Sequence, residues 1–308
     1  MFGSHLSIAG GMSNALIVAA DMRMDCVQVF TKNQRQWNAK PLQEQEIALW
    51  LSELQNNGWD GSGNTVSHNS YLINLASPDA RARKKSMVLQ REEIERCETL
   101  HIPFLVSHPG ARLGTPRNRT DVNALAQTPS SEELKGLQRI VKSLDQLHGE
   151  LPGYSTITCI ETTVGSGTNL GYDFQHLAWI RSNVVQPERI AFCFDTCHVT
   201  AAGYDMSTMK KARGVLQYFD EIAGLSNISV FHLNDSVGKI GSRVDRHAHI
   251  GDGKCGRSCF RAIVELPIFD HVPKILETPK EDAPSGKPMD LVNISILRRM
   301  AKAAKKRR

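Results

Sequence analysis

Short apolar runs alternate with longer amphipathic segments along the whole chain. The runs at 2–7, 26–30, 64–68, 104–108, 156–161, 190–195, 229–233 and 273–277 read as buried strands. The segments between them read as helices. Gly10-Gly11 allows a tight turn into a helix at 13–22, and Ser77-Pro78 offers an N-cap with proline in the first turn of a helix over 79–100. Ser130-x-x-Glu133 is a capping box opening a helix over 131–147, and Ser207 or Thr208 starts another over 208–223. Eight strands alternating with helices predict an α/β chain folded as a (β/α)8 TIM barrel rather than an open sheet, with one catalytic domain over 1–297. No repeat with a period of 20–50 residues interrupts the pattern.

The polar residues that end the runs carry the chemistry. The third to eighth runs end on His68, His108, Glu161, Asp195, His232 and Glu277. His198 follows the sixth in DTCH, and Asp245 and His247 follow the seventh. Two apart on extended backbone, Asp245 and His247 point to the same side. In such a barrel every strand's carboxyl end opens on one mouth, where active sites are built. Each of these residues alone has a plainer role, hydrogen-bonding a loop. Together they form a set of five imidazoles and four carboxylates suited to Zn²⁺, enough for three ions with one carboxylate bridging. Clustered metals with open positions suit phosphate hydrolysis. The first run ends on His5, either a lining group of the same cleft or a hydrogen-bonded core histidine.

The loops at that mouth add a second theme. TKNQRQW at 31–37 gathers Asn33, Gln34 and Arg35 before Trp37, a composition suited to phosphate contacts and groove probing, though a solvated loop reads the same way. Tyr71 reads as an exposed aromatic able to wedge into a base stack. The long irregular stretch 111–129 carries Arg112, Arg117 and Arg119 and reads as partly disordered, with phosphate contact as the sharper option. The glycines at 165, 167 and 171 permit close backbone approach, but without a following lysine this is not a phosphate-binding P-loop.

Charge and composition narrow the class. The formal charge is +5, but residues 298–308 hold seven Lys/Arg and no acid, so the rest carries −2. The body is therefore not a basic nucleic-acid binder by composition alone, and the basic tail reads as a solvated, frayed helix end. Seven cysteines without a CxxC pair fit a reducing, cytoplasmic setting. Cys197, between Thr196 and His198, reads as a small loop filler. No apolar run approaches the roughly 20 residues needed to cross a bilayer, and no signal peptide is recognised.

Several stretches carry a resemblance: FTKNQRQW at 30–37, SYLINLASP at 70–78, HPG at 108–110, ETTVGSGTNLG at 161–171, DTCH at 195–198, HLND at 232–235, GSRVDRH at 241–247 and LET at 276–278. From His5 to about Glu277 the chain resembles the endonuclease IV family of apurinic/apyrimidinic endonucleases. The resemblance implies a barrel with three zinc ions that incises duplex DNA 5′ to an abasic nucleotide, leaves a 3′-hydroxyl and removes 3′-blocking groups. It also implies that His68 and His108 hold the first ion, with Glu161 bridging to the second. Asp195, His232 and Glu277 complete the second, and His198, Asp245 and His247 hold the third. Glu161 and Glu277 are the expected catalytic groups. Arg35 and Tyr71 are expected to enter the bent duplex, with Asn33 and Gln34 beside them, and the enzyme is expected to act as a monomer. Val164 and Ser166 depart from the family's commoner Ala and Gln. The rivals are a sugar isomerase or epimerase on a related barrel, with one or two metals, and a catalytically idle binder of damaged DNA.

Overall fold

The computed structural model of the chain describes residues 1–116 and 128–307. Its strands are β1 (Phe2–His5), β2 (Cys26–Val29), β3 (Thr65–His68), β4 (Phe104–Ser107), β5 (Ile157–Glu161), β6 (Ile190–Asp195), β7 (Ile228–His232), β8 (Asp235–Ser236), β9 (His247–Ala248) and β10 (Lys274–Leu276). All but β8 and β9 close into a parallel barrel in the order β1-β10-β7-β6-β5-β4-β3-β2. The eight predicted strands are thus the eight staves. β8 and β9 form a separate antiparallel ribbon at the mouth, too short to leave a readable alternation.

The barrel interior is layered by the two-residue period of a strand. Its floor is apolar: Cys26, Val66, Val106, Cys159, Ala191, Cys193, Val230 and Ile275 are all buried together. Two residues closer to the mouth than Cys26, Val66, Val106, Cys159, Cys193, Val230 and Ile275 stand Gln28, His68, His108, Glu161, Asp195, His232 and Glu277. The alternation that buries the floor therefore aims the polar layer at a common axis.

The outer core lies between staves and helices. The helices are α1 (Ser13–Asp21), α2 (Glu44–Asn56), α3 (Ala80–Thr99), α4 (Ser131–Glu150), α5 (Phe174–Asn183), α6 (Thr196–Ala202), α7 (Met209–Ala223), α8 (Arg257–Val264) and α9 (Met289–Lys305). In α4, Leu137, Ile140, Leu144 and Leu147 recur at helical spacing and are buried. Phe219 of α7 meets Phe174 and Phe194 with ring centroids 4.8 and 5.5 Å apart. Each such side chain removed from water stabilises the fold by roughly 1.5–3 kcal/mol.

Three local expectations change. The cap of α3 is Asp79, whose carboxylate accepts from the backbone N–H of Arg81 and Ala82; Ser77 lies too early, and its buried hydroxyl has no partner. Cys197 sits inside α6 and is buried, not in a loop. The basic tail continues α9: Ala304 is buried, Arg298 pairs with Asp25 at 2.8 Å, and Arg307 with Glu265 at 3.0 Å. Capping follows expectation at Ser130, with a reciprocal box to Glu133, and at Thr208. All seven cysteines are free and buried. Among the described residues no helix is long and apolar enough to cross a membrane.

Candidate metal centre

β3, β5, β6 and β7 end on their polar residue; His108 and Glu277 lie one residue past β4 and β10. α6 starts directly after β6, and its N-cap Asp195 accepts from the backbone N–H of His198 at 2.7 Å. That first helical turn turns the His198 ring back over the mouth. The β8–β9 segment brings Asp245, in the loop before β9, and His247, the first residue of β9, to meet it.

The nine side chains fall into three groups whose ligand-type atoms lie within 4.8 Å of one another: His68, His108 and Glu161; Glu161, Asp195, His232 and Glu277; and His198, Asp245 and His247. Glu161, fully buried, belongs to two of them. Its Oε2 lies 3.3 Å from His68 Nε2 and 2.9 Å from His108 Nε2. Its Oε1 lies 2.9 Å from His232 Nδ1. His232 Nδ1 is also 3.2 Å from Glu277 Oε2. In the third group Asp245 Oδ1 is 3.1 Å from His198 Nε2 and 3.6 Å from His247 Nε2.

The far nitrogens of the rings test whether a cation fits. His68 Nδ1 donates to Asn69 O, His198 Nδ1 to Thr162 O, His247 Nδ1 to Glu277 O and His232 Nε2 to Gln28 Oε1, at 2.8–3.1 Å. A carbonyl oxygen only accepts, so each of those nitrogens carries hydrogen, and each facing nitrogen can offer a lone pair to the carboxylates' side. Metal-binding histidines are held in this way. His247 Nε2 is buried without a hydrogen-bond partner beside Asp195 and Asp245. Donor type also fits: imidazole and carboxylate suit Zn²⁺. Cys193 and Cys197 also approach two of these groups; burial pushes the Cys193 thiol well up and that of Cys197 to about 12, so both are protonated while no cation is present.

Without a cation, protons balance the charge. Burial opposes ionisation of Glu161, but His232, His108 and His198 overcome it and hold the carboxyl well below its usual range. Burial likewise opposes ionisation of Glu277, and His232 again reverses it. Burial opposes charge on His232, yet Glu277 and Glu161 push it up to about 9. His68 and His198 are raised in the same way. The site is thus a cage of imidazolium and carboxylate in which a cation can replace protons.

Two residues of this cage escaped sequence reasoning. Gln28 bonds His5, Glu277 and His232. Asn234 donates to Asp195 Oδ2 at 2.7 Å and accepts from the Glu277 N–H at 2.7 Å. Amides at strand ends are not ligand types, but Gln28 stands two residues from floor residue Cys26, a signal the alternation contained. His5 is a hydrogen-bonded histidine behind this cage: its Nδ1 accepts from Gln28 Nε2 at 2.9 Å, and its ring lies 4.4 Å from that of Phe30.

At the rim, Tyr71 is 59% exposed and packs its ring 5.3 Å from that of His68. Asn33 and Arg35 are exposed and Gln34 half-buried. Their loop is held from beneath through its carbonyls. Lys32 Nζ donates to Gln36 O at 2.6 Å, Ser70 Oγ to Gln34 O at 2.7 Å, and Arg96 of α3 to Thr31 O and Lys40 O, the two ends of the loop. Arg112 spends its guanidinium on Leu113 O and Thr115 O of its own loop. Arg117 and Arg119 lie outside the described residues.

Comparison with known proteins decides the kinship. Residues 16–298 match the family described as the xylose isomerase-like TIM barrel. A protein of Chloroflexus aggregans described as "Probable endonuclease 4" is 41% identical over 301 residues, covering 98% of each chain. The chain belongs to the endonuclease IV family. The crystal structure of endonuclease IV from Thermus thermophilus superposes with a TM-score of 0.79 at 30% identity, covering 98% of this chain and 99% of that one. A D-tagatose 3-epimerase-like protein also superposes, with a TM-score of 0.70, but at 18% identity, a likeness of fold alone. The endonuclease IV match therefore outweighs the sugar-enzyme rival.

Proposed function

We propose that this chain is a zinc-dependent apurinic/apyrimidinic endonuclease of base excision repair. It hydrolyses the phosphodiester 5′ to abasic sites in duplex DNA, leaves a 3′-hydroxyl, and also removes 3′-blocking groups. The observation that carries the reading is the set of four histidines, each giving one ring nitrogen to a carbonyl and turning the other toward shared carboxylates. A cage whose only task was packing would not need five imidazoles around Glu161, Asp195, Asp245 and Glu277.

In this reading His68, His108 and Glu161 would hold one ion, Glu161, Asp195, His232 and Glu277 a second, and His198, Asp245 and His247 a third. Zinc at such sites supplies Lewis acidity and lowers the pKa of water toward ~7. Glu161 and Glu277 orient the attacking water, while the walls of the barrel keep bulk water from the rest of the cleft. Arg35 and Tyr71 reach into the opened duplex, and Asn33 and Gln34 contact its backbone. The enzyme acts as a monomer.

The test is incision of an end-labelled duplex with one abasic site, alongside native mass spectrometry. Three zinc ions per chain, cleavage 5′ to the lesion, and loss of cleavage on prolonged chelation with recovery on added zinc are expected. One or two ions with no incision would favour the sugar enzyme. Binding of the duplex by the zinc-loaded protein without cleavage would favour the idle binder.

A further inference from the structure

The polar layer has contributions from β1 and β2 that the ligand set does not use, and Gln28 is the residue that joins them to it. Its side chain is fully buried and its hydrogen-bonding groups are engaged. Nε2 donates to Glu277 Oε1 at 2.7 Å and to His5 Nδ1 at 2.9 Å. Oε1 accepts from His232 Nε2 at 2.8 Å. The amide has one orientation: turned over, its oxygen would face the Glu277 carboxylate, acceptor against acceptor.

This orientation has two consequences for one group of ligands. The hydrogen on His232 is held on Nε2, so Nδ1 is the nitrogen left facing Glu161 and Glu277. Glu277 Oε1 takes the short bond from Gln28 at 2.7 Å, whereas Oε2 accepts only a long one from Asn234 Nδ2 at 3.5 Å and, 3.2 Å from His232 Nδ1, is the oxygen turned to the cleft. No other side chain among the described residues bonds both His232 and Glu277 through the atoms facing away from the cleft.

We propose that Gln28 is a positioning residue for the middle ion alone: it selects Nδ1 of His232 and Oε2 of Glu277 as the pair presented to the cation held with Glu161 and Asp195. The inference rests on the metal-centre reading above. It predicts a selective defect, because the side-chain hydrogen bonds of Gln28 go to His5, Glu277 and His232, not to the His68–His108 pair or the His198–Asp245–His247 group. Loss of such an outer partner weakens a metal site about 10- to 100-fold.

The experiment is competition of the zinc-loaded full chain against a chromophoric chelator, for wild type, Gln28→Met and Gln28→Glu. Methionine keeps the volume without hydrogen bonds. Glutamate keeps an acceptor for His232 but sets a second acceptor against Glu277. In both variants one zinc of three is expected to release at about 10- to 100-fold lower chelator concentration, with the other two unchanged. Long-range ¹H–¹⁵N spectra of the zinc-loaded protein provide a readout independent of activity. Wild type should show one zinc-bound ring, His232, with its hydrogen on Nε2, and Gln28→Met should shift that ring selectively. Three unchanged affinities, or an equal loss at all three, would overturn the role of Gln28 while leaving the zinc reading intact. A wild-type chain that binds no zinc would overturn both.

Discussion

Glu161→Gln isolates charge from shape. The side chain is fully buried, with ring nitrogens of His68, His108, His198 and His232 at 3.3, 2.9, 3.3 and 2.9 Å from its oxygens. Glutamine keeps the volume and removes one negative charge, the only carboxylate in the first group and one of three in the second. One unit of charge against another at ~4 Å is worth about 4 kcal/mol at an effective dielectric of ~20. At 1.36 kcal/mol per decade that corresponds to roughly a thousandfold loss in kcat/KM. The assay is steady-state incision of a fluorescent abasic duplex, with metal content and far-ultraviolet circular dichroism on the same samples. The fold should be unchanged, because the floor beneath Glu161 is apolar and untouched. A variant that keeps a full metal complement and more than a tenth of wild-type activity would refute the bridging role.

Four further outcomes follow from the geometry of the site, its rim loop and the α3 cap. Because His232 is pushed up to about 9, and His68 and His198 are raised, zinc must displace protons near neutral pH. Calorimetry in buffers of different ionisation enthalpy should detect proton release, and affinity should rise with pH; zero release at pH 7 would contradict the cage. The sign for metal-free stability is opposite: the His232 contribution, about 3 kcal/mol at most, is complete below ~6.5 and lost as pH rises through about 9, so the urea midpoint of chelated protein should fall across that window. Arg96→Met should loosen both ends of the 31–40 loop and raise KM for duplex about tenfold, with kcat and metal content unchanged; an unchanged KM would dismiss the cradle. Asp79→Ala should cost about 1 kcal/mol in thermal unfolding and Ser77→Ala much less, since Asp79 and not Ser77 caps α3; equal losses would reverse that assignment.

The staves and their polar ends were legible because a strand's period is local. Val66-x-His68, Cys159-x-Glu161 and Val230-x-His232 each declare, within three residues, which side faces the barrel axis. Capping at Ser130 and Thr208 was legible for the same reason: donor and acceptor lie within one turn. The error at Ser77 is local too, two competing caps two residues apart, where the carboxylate of Asp79 took the backbone N–H groups. α6 and the β8–β9 ribbon were not legible, since seven and two residues are too few to establish a period.

By itself, then, the order of residues determined the eight staves, their inward faces and the six ligand-type residues that finish six of them. Only the closed barrel decided that Glu161 stands between two groups, and that Asp245 and His247 return from a ribbon to meet His198. It alone turned Gln28, an amide with no ligand chemistry, into the partner of both His232 and Glu277. The reason is physical: which face a side chain takes depends on its nearest neighbours in the chain. Which atom of an imidazole or carboxylate is left free depends on hydrogen bonds spanning up to 249 positions, as between Gln28 and Glu277, and those exist only once the barrel has closed.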